Sequence, residues 1–262
     1  MRMKSEPINV LWTGGLDSTY RVLELVSQTE ISIQPYYVID KNRRSYKYEL
    51  KAINEITAEV NNRCREQRIL PLKTINLDDI RIPSHIDNAF RNLHDKYSIG
   101  SQYAWLASLA ELTNVRLEVG LENSPRSKAL NAIKSEGKLI ETPTSGGAVY
   151  YIEKSQSSND INLIFGNFHF PKVLWNTTKP EEVDALRQYG FGDLVTKTWF
   201  CHNPVLGKPC GRCNPCKDAL NEGMEWRVPI LGRILGSLRI PISFVSRAVL
   251  YIRNTVLRKI KH

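Results

Sequence analysis

Residues 8 to 19 read Ile-Asn-Val-Leu-Trp-Thr-Gly-Gly-Leu-Asp-Ser-Thr, and this stretch restricts the fold more than any other in the chain. A short apolar run gives way to Thr13-Gly14-Gly15-Leu16-Asp17-Ser18-Thr19, and a helical pattern of Tyr20, Val22, Leu23 and Val26 follows at once. The order is strand, glycine turn, helix N-terminus. Two adjacent glycines let backbone N–H groups converge on an anion with no Cβ in the way. The start of the helix adds unpaired donors and the positive end of its dipole. Thr13, Ser18 and Thr19 supply hydroxyls, and Asp17 supplies a carboxylate able to hold a metal ion or orient a nucleotide. A turn that needed glycine only for its dihedrals would have no use for that acid and those hydroxyls. The loop fits neither Gly-x-x-x-x-Gly-Lys-Ser/Thr nor Gly-x-Gly-x-x-Gly. The expectation is a grip on nucleotide phosphate of another kind.

The first two-thirds of the chain alternates apolar and amphipathic segments. Strands are expected over 7–12, 33–39, 73–77 and 115–121, and helices over about 18–29, 46–67 and 99–112. Strands separated by helices of this length imply a doubly wound, parallel α/β sheet whose ligands bind at the carboxyl ends of the strands, where the glycine loop sits. Residues 122 to 170 are less regular. Ser145-Gly146-Gly147 reads as a hairpin turn and Ile161 to Phe165 as a short strand, while Thr178-Lys179-Pro180-Glu181-Glu182 opens a helix with Thr178 as its N-cap.

Four of the five cysteines cluster late in the sequence. Cys201 is followed after eight residues by Cys210, then by Cys213 and Cys216 in Cys-x-x-Cys-x-x-Cys spacing. Four thiolates are enough to close a tetrahedral Zn²⁺ site, and closed four-sulfur sites are structural because no position is left for water. An iron–sulfur cluster is the alternative, with the Gly and Pro knuckles favouring zinc. His202 has no vacancy to fill, and Cys64 lies apart on a helical segment as a packed thiol.

Loop and cysteine cluster together carry a resemblance. Thr13-Gly14-Gly15-Leu16-Asp17-Ser18 resembles the Ser-Gly-Gly-x-Asp-Ser PP-loop of the ATP pyrophosphatases, with Thr13 for the first serine. Joined to Cys201, Cys210, Cys213 and Cys216, to Glu49-Leu50, to Gly120, to Lys179-Pro180-Glu181-Glu182 and to Thr198-Trp199-Phe200-Cys201, it is similar to the 7-cyano-7-deazaguanine synthase family over roughly residues 7 to 220. The resemblance implies an adenine nucleotide alpha hydrolase-like, Rossmann-type domain over 1–195, a zinc-binding segment over 196–222 and a basic helical tail over 223–262. It also implies ATP, Mg²⁺ and Zn²⁺ as cofactors, with a small-molecule carboxylate and ammonia as substrates in a carbon–nitrogen ligase reaction. Gly14, Gly15, Leu16, Asp17 and Ser18 would then hold pyrophosphate, with Thr13 and Thr19 in support, and Asp17 and Ser18 would serve the chemistry. At two places the chain departs from the family. Asn123-Ser124-Pro125-Arg126-Ser127-Lys128-Ala129 stands where a Tyr-Pro-Asp-Cys-Arg-x-x-Phe type segment recognises substrate, and Asn42-Arg43-Arg44-Ser45-Tyr46 replaces Gln-Arg-His. Those departures leave room for another acceptor, on a protein or a modified base, as in antiviral defence systems, or for a nucleotide-binding module without turnover.

Charge is divided unevenly. Of a net +9 over 262 residues, eight Lys and Arg follow Glu225 with no acid among them, so residues 1 to 225 sit near +1. In that tail Val245, Val249, Ile252 and Val256 recur at helical spacing with Arg247, Arg253 and Arg258 around them. Packing on the body, a homodimer contact, a protein partner, a membrane surface and nucleic acid are its candidate roles. No run approaches the roughly 20 apolar residues of a spanning helix, and the N-terminus has no leader pattern. The cysteines fit a reduced compartment, so the expectation is a cytoplasmic protein.

Overall fold

A computed structural model describes residues 6–121, 123 and 126–237. The chain divides into two compact units, one of residues up to 41 together with 49–198, the other of 42–48 together with residues from Trp199 onward.

The first unit begins with β1 (Ile8–Leu11), α1 (Leu16–Gln28), β2 (Ile33–Ile39), α2 (Tyr46–Cys64, whose first residues belong to the second unit) and β3 (Lys73–Asn76). Next come α3 (Ser84–Tyr97), α4 (Gln102–Thr113), β4 (Leu117–Glu118), α5 (Lys128–Glu136), and a hairpin of β5 (Leu139–Thr144) and β6 (Gly147–Ile152). It closes with α6 (Asn159–Phe165), β7 (Phe168–Pro171), α7 (Val173–Asn176) and α8 (Lys179–Gln188).

Seven strands form one sheet in the order β3-β2-β1-β4-β7-β6-β5. Five neighbours run parallel; β6 is antiparallel to both β7 and β5, so the expected all-parallel sheet carries an antiparallel hairpin at one edge. The parallel strands are apolar because both faces are covered: β2 is buried along nearly its whole length. Its Pro35 is tolerated although β2 lies between two strands. The missing N–H falls on the β3 side, ahead of the first β2–β3 pair at Lys73, and there the Gln34 carboxamide donates to the Pro35 and Pro71 carbonyls (3.2 and 2.8 Å).

From β1 the chain passes through α1 to β2 on one side, then returns through α3 and α4 to β4 on the other side of β1. Loops after β1 and β4 therefore leave adjacent strands in opposite directions, the place in an open α/β sheet where ligands bind. Arg21 on α1 clamps this point: its guanidinium makes a bidentate pair with Glu118 of β4 (2.7 Å twice) and a further bond to Glu24 (2.5 Å). The pair is almost fully buried, so each charge relies on the other for its lost water. Burial raises the Glu24 carboxyl above its ordinary range against the pull of Arg21.

Residues 161–165 are helix, correcting the expected strand. Ser158 Oγ caps the turn by accepting from Ile161 N (3.3 Å), and Ile161, Ile164 and Phe165 fall on one buried helical face. Ser145-Gly146-Gly147 is the β5–β6 hairpin turn as expected, and Thr178 with Glu181 forms the capping box of α8.

The second unit continues with α9 (Asn214–Asn221) and α10 (Ile230–Ser237). Val245, Val249, Ile252, Val256 and the arginines Arg247, Arg253 and Arg258 lie outside the described residues, as do Ser124 and Pro125. No described helix is long and apolar enough to cross a membrane.

Candidate functional site

The loop between β1 and α1 is built to expose backbone N–H groups. Gly14 has φ +72°, and a Cβ there would meet the Glu49 carbonyl oxygen at 2.8 Å, so both the dihedral and the space demand glycine. Gly15 is the N-cap of α1 with ordinary extended dihedrals and no side chain to cap the helix. The amides of Leu16, Asp17 and Ser18 thus open α1 with no acceptor inside the helix, at the positive end of its dipole.

Hydroxyls brace this turn. Thr13 Oγ1 lies 3.1 Å from Ser18 Oγ and accepts from Gly15 N (3.4 Å), while Ser18 Oγ accepts from Thr13 N (3.3 Å) and donates to Gly15 O (3.4 Å). Asp17 is exposed in the first turn. Two of the expected loop residues face elsewhere. Leu16 is core and offers only its amide, and Thr19 is buried with its hydroxyl committed to Trp12 Nε1 (2.9 Å). Thr19 therefore anchors the helix to β1 rather than presenting a hydroxyl to a ligand.

Two supports of the loop are not apparent from the sequence alone. Beyond its place in Glu49-Leu50, Glu49 walls Gly14 with its carbonyl, and its carboxylate accepts from Tyr37 Oη (2.6 Å). Arg21 sits inside the helical pattern, where a cation on an apolar face was the available signal. Tyr20, beside it, has its phenol pushed up to about 12 by burial, with Tyr189, Glu24 and Glu182 adding to the effect. After β4, the Asn123 carboxamide donates to Trp175 O of α7 (3.1 Å), which ties the start of the 123–129 segment to the chain following β7.

In the second unit Cys201, Cys210, Cys213 and Cys216 bring their sulfurs within 4.8 Å of one another, three of them buried. Individual pairs stand at 3.4 Å (Cys213–Cys216), 3.9 Å (Cys201–Cys213) and 4.0 Å (Cys210–Cys216). A tetrahedron of sulfurs about 2.3 Å from a central ion has edges of about 3.8 Å, so this donor set fits a metal ion such as zinc. Backbone amides add the outer support that thiolates need: Cys210 N points to Cys201 Sγ (3.2 Å), and Arg212 N and Cys213 N to Cys210 Sγ (3.4 and 3.5 Å). The contacts with Cys201 and Cys216 hold the Cys213 thiol far below its usual range, and the same Cys201–Cys213 contact drives Cys201 upward.

Local sequence explains the convergence. The spacer between Cys201 and Cys210 is a tight hairpin turn, with Val205 and Lys208 exchanging backbone bonds (2.9 and 3.0 Å) and Leu206 and Gly207 both at positive φ. Gly211 has φ +73°, and a Cβ there would meet the Gly232 carbonyl oxygen at 2.0 Å. Cys213 is the N-cap of α9 and Pro215 lies in its first turn, which directs Cys216 back toward the knuckle. Tyr48 stacks on Trp199 at 4.5 Å, and Trp199 Nε1 donates to Cys201 O (2.8 Å). His202 is exposed and outside the set, and Cys64 is half-buried at the end of α2.

Neither protein-family models nor curated proteins match the chain. The arrangement of its own side chains therefore carries the chemistry. An amide-lined glycine loop at the carboxyl end of β1 suits a phosphate chain, and a four-thiolate knuckle suits a metal ion.

Proposed function

We propose that the protein is an ATP-dependent carbon–nitrogen ligase with a Rossmann-type, PP-loop nucleotide site. The observation that carries this reading is the Gly14–Gly15 turn. It sits at the carboxyl end of β1, where the chain leaves β1 and β4 in opposite directions, with the Leu16–Ser18 amides and the Thr13 and Ser18 hydroxyls gathered around it. Phosphates bind at such helix N-termini, and nucleotides bind at such places in a sheet.

In the reaction proposed, a carboxylate oxygen of the acceptor attacks the α-phosphorus of ATP and pyrophosphate leaves. Ammonia attacks the acyl carbon, AMP leaves, and an amide forms. With 7-carboxy-7-deazaguanine as acceptor, the amide oxygen is adenylated by a second ATP, and loss of AMP and a proton leaves the nitrile. The loop amides and the Thr13 and Ser18 hydroxyls would hold the leaving pyrophosphate, and Asp17 would hold Mg²⁺, which would neutralise charge on the phosphates. Zinc at Cys201, Cys210, Cys213 and Cys216 is structural in this reading, since four thiolates leave no position for water.

A second acceptor is favoured by one observation: Asn123-Ser124-Pro125-Arg126-Ser127-Lys128-Ala129 has no Asp-Cys-Arg. Incubation with ATP, Mg²⁺, ammonium and 7-carboxy-7-deazaguanine, read by mass spectrometry, separates the two. Nitrile with two AMP supports the first. AMP formation only with other carboxylates supports the second. ATP left intact with every acceptor refutes both.

A further inference from the structure

The helix α10 has two unlike sides. On one, Gly232 and Gly236 lie against the cysteine knuckle, where a Cβ would meet Pro209 O at 2.7 Å and Gly211 O at 2.5 Å. The helix is held backbone to backbone. At about 100° per residue the opposite side is Ile230, Leu231 and Ile234, which are 72, 58 and 49% exposed, and Trp226 just before the helix is 49% exposed. The described residues hold seven exposed large hydrophobic side chains, and four of them fall within these nine positions. A concentration of this kind marks an interaction surface.

Charge says what it meets. Residues 42–48 and 199–237 carry eight Lys and Arg against three acids, and residues 238–262 carry six and none. A second copy would set like charge against like, and so would residues 238–262 laid over the same face. A nucleic-acid backbone would satisfy the cations but gains nothing from Ile230, Leu231 and Ile234. We infer that the Trp226–Ile234 face of α10 docks on an anionic lipid bilayer. Its apolar side chains enter the boundary of headgroups and acyl chains, and the net positive charge of the unit draws it to lipid phosphates and carboxylates. The metal knuckle fixes the angle at which the helix presents this face. An aromatic residue beside an aliphatic patch in a positively charged unit is the composition such interfacial helices use, and a basic side chain that comes near the surface strengthens binding about fivefold.

The test is flotation of the full-length protein with phosphatidylcholine vesicles, with and without phosphatidylserine. The protein should float with the anionic vesicles alone, and rising salt should release it. Ile230→Ser with Ile234→Ser should weaken partitioning about tenfold or more, while bound metal and thermal midpoint stay unchanged because both side chains are exposed. The emission of Trp226, taken as wild type minus Trp226→Phe, should shift to the blue on binding. Equal flotation with neutral vesicles, or full binding by the double-serine variant, overturns the proposal. So does binding to duplex nucleic acid without binding to vesicles, or a concentration-dependent dimer that the same pair abolishes while no vesicle binding is seen.

Discussion

Replacing Gly14 by alanine should damage the protein in a way that neighbouring substitutions do not. At φ +72° an L-residue pays about 1 kcal/mol or more for its dihedral alone. The new Cβ would also stand 2.8 Å from the Glu49 carbonyl oxygen, a backbone atom in the first turn of α2 that no rotamer change can withdraw. Overpacking of this kind costs about 1–3 kcal/mol, so the total is about 2–4 kcal/mol. For a chain of this size each kcal/mol moves the melting temperature by about 2–4 °C, which places the variant about 4–16 °C below wild type by scanning fluorimetry. The clash is relieved by moving the loop away from α2, which carries the Leu16–Ser18 amides with it, so ATP affinity by calorimetry should fall too. Gly15→Ala is the control. With φ −73° and ψ 167° its backbone accepts an L-residue, so the dihedral part of the cost, about 1 kcal/mol or more at Gly14, should be absent there. If Gly14→Ala melts with the wild type, the loop does not have the conformation described.

Further outcomes follow from other parts of the molecule. Cys213→Ser should lose the bound metal, measured as zinc or iron per chain by elemental analysis, and should unfold the second unit, since structural zinc carries about 10–16 kcal/mol of folding free energy. Arg21→Met should cost about 3–5 kcal/mol in urea denaturation because it strands the buried Glu118 and Glu24, while Arg21→Met with Glu118→Leu should recover much of that. The Tyr20 phenol, raised from 10.0 to about 12, stays neutral in the folded chain while the unfolded chain ionises. Its contribution is complete below pH 10 and is lost as pH rises toward 12, so Tyr20→Phe should flatten the alkaline fall in stability between those values.

How far the sequence reveals the fold depends on how local the determinants are. The β1 turn and the cysteine knuckle are legible because glycine pairs and Cys-x-x-Cys spacing impose their geometry within a few residues. The segment at Ile161–Phe165 misleads because five residues of apolar character suit a strand or one helical turn equally. The Ser158 cap that decides between them lies outside the run. The helix α3 does carry a helical period, with Ile86, Ala89, Phe90 and Leu93 at i, i+3, i+4 and i+7, although the expected elements pass from the strand at 73–77 to the helix at 99–112 without it. Grouping residues 42–48 with the cysteine unit depends on Tyr48 stacking on Trp199, a contact between positions 151 residues apart. Thr19 illustrates the limit within the loop itself. A hydroxyl beside a phosphate turn reads as a ligand, and only the position of Trp12 shows that it is already taken.

The nucleotide chemistry assigned to the glycine loop is the central claim, and the bond broken in ATP tests it most directly. Phosphorus NMR of the reaction with Mg²⁺, ammonium and a carboxylate acceptor should show AMP and pyrophosphate in equal amounts. Asp17→Asn and Ser18→Ala should lower their rate by about 10²-fold or more with the fold intact. Formation of ADP and inorganic phosphate, or turnover unchanged in both variants, would contradict the account.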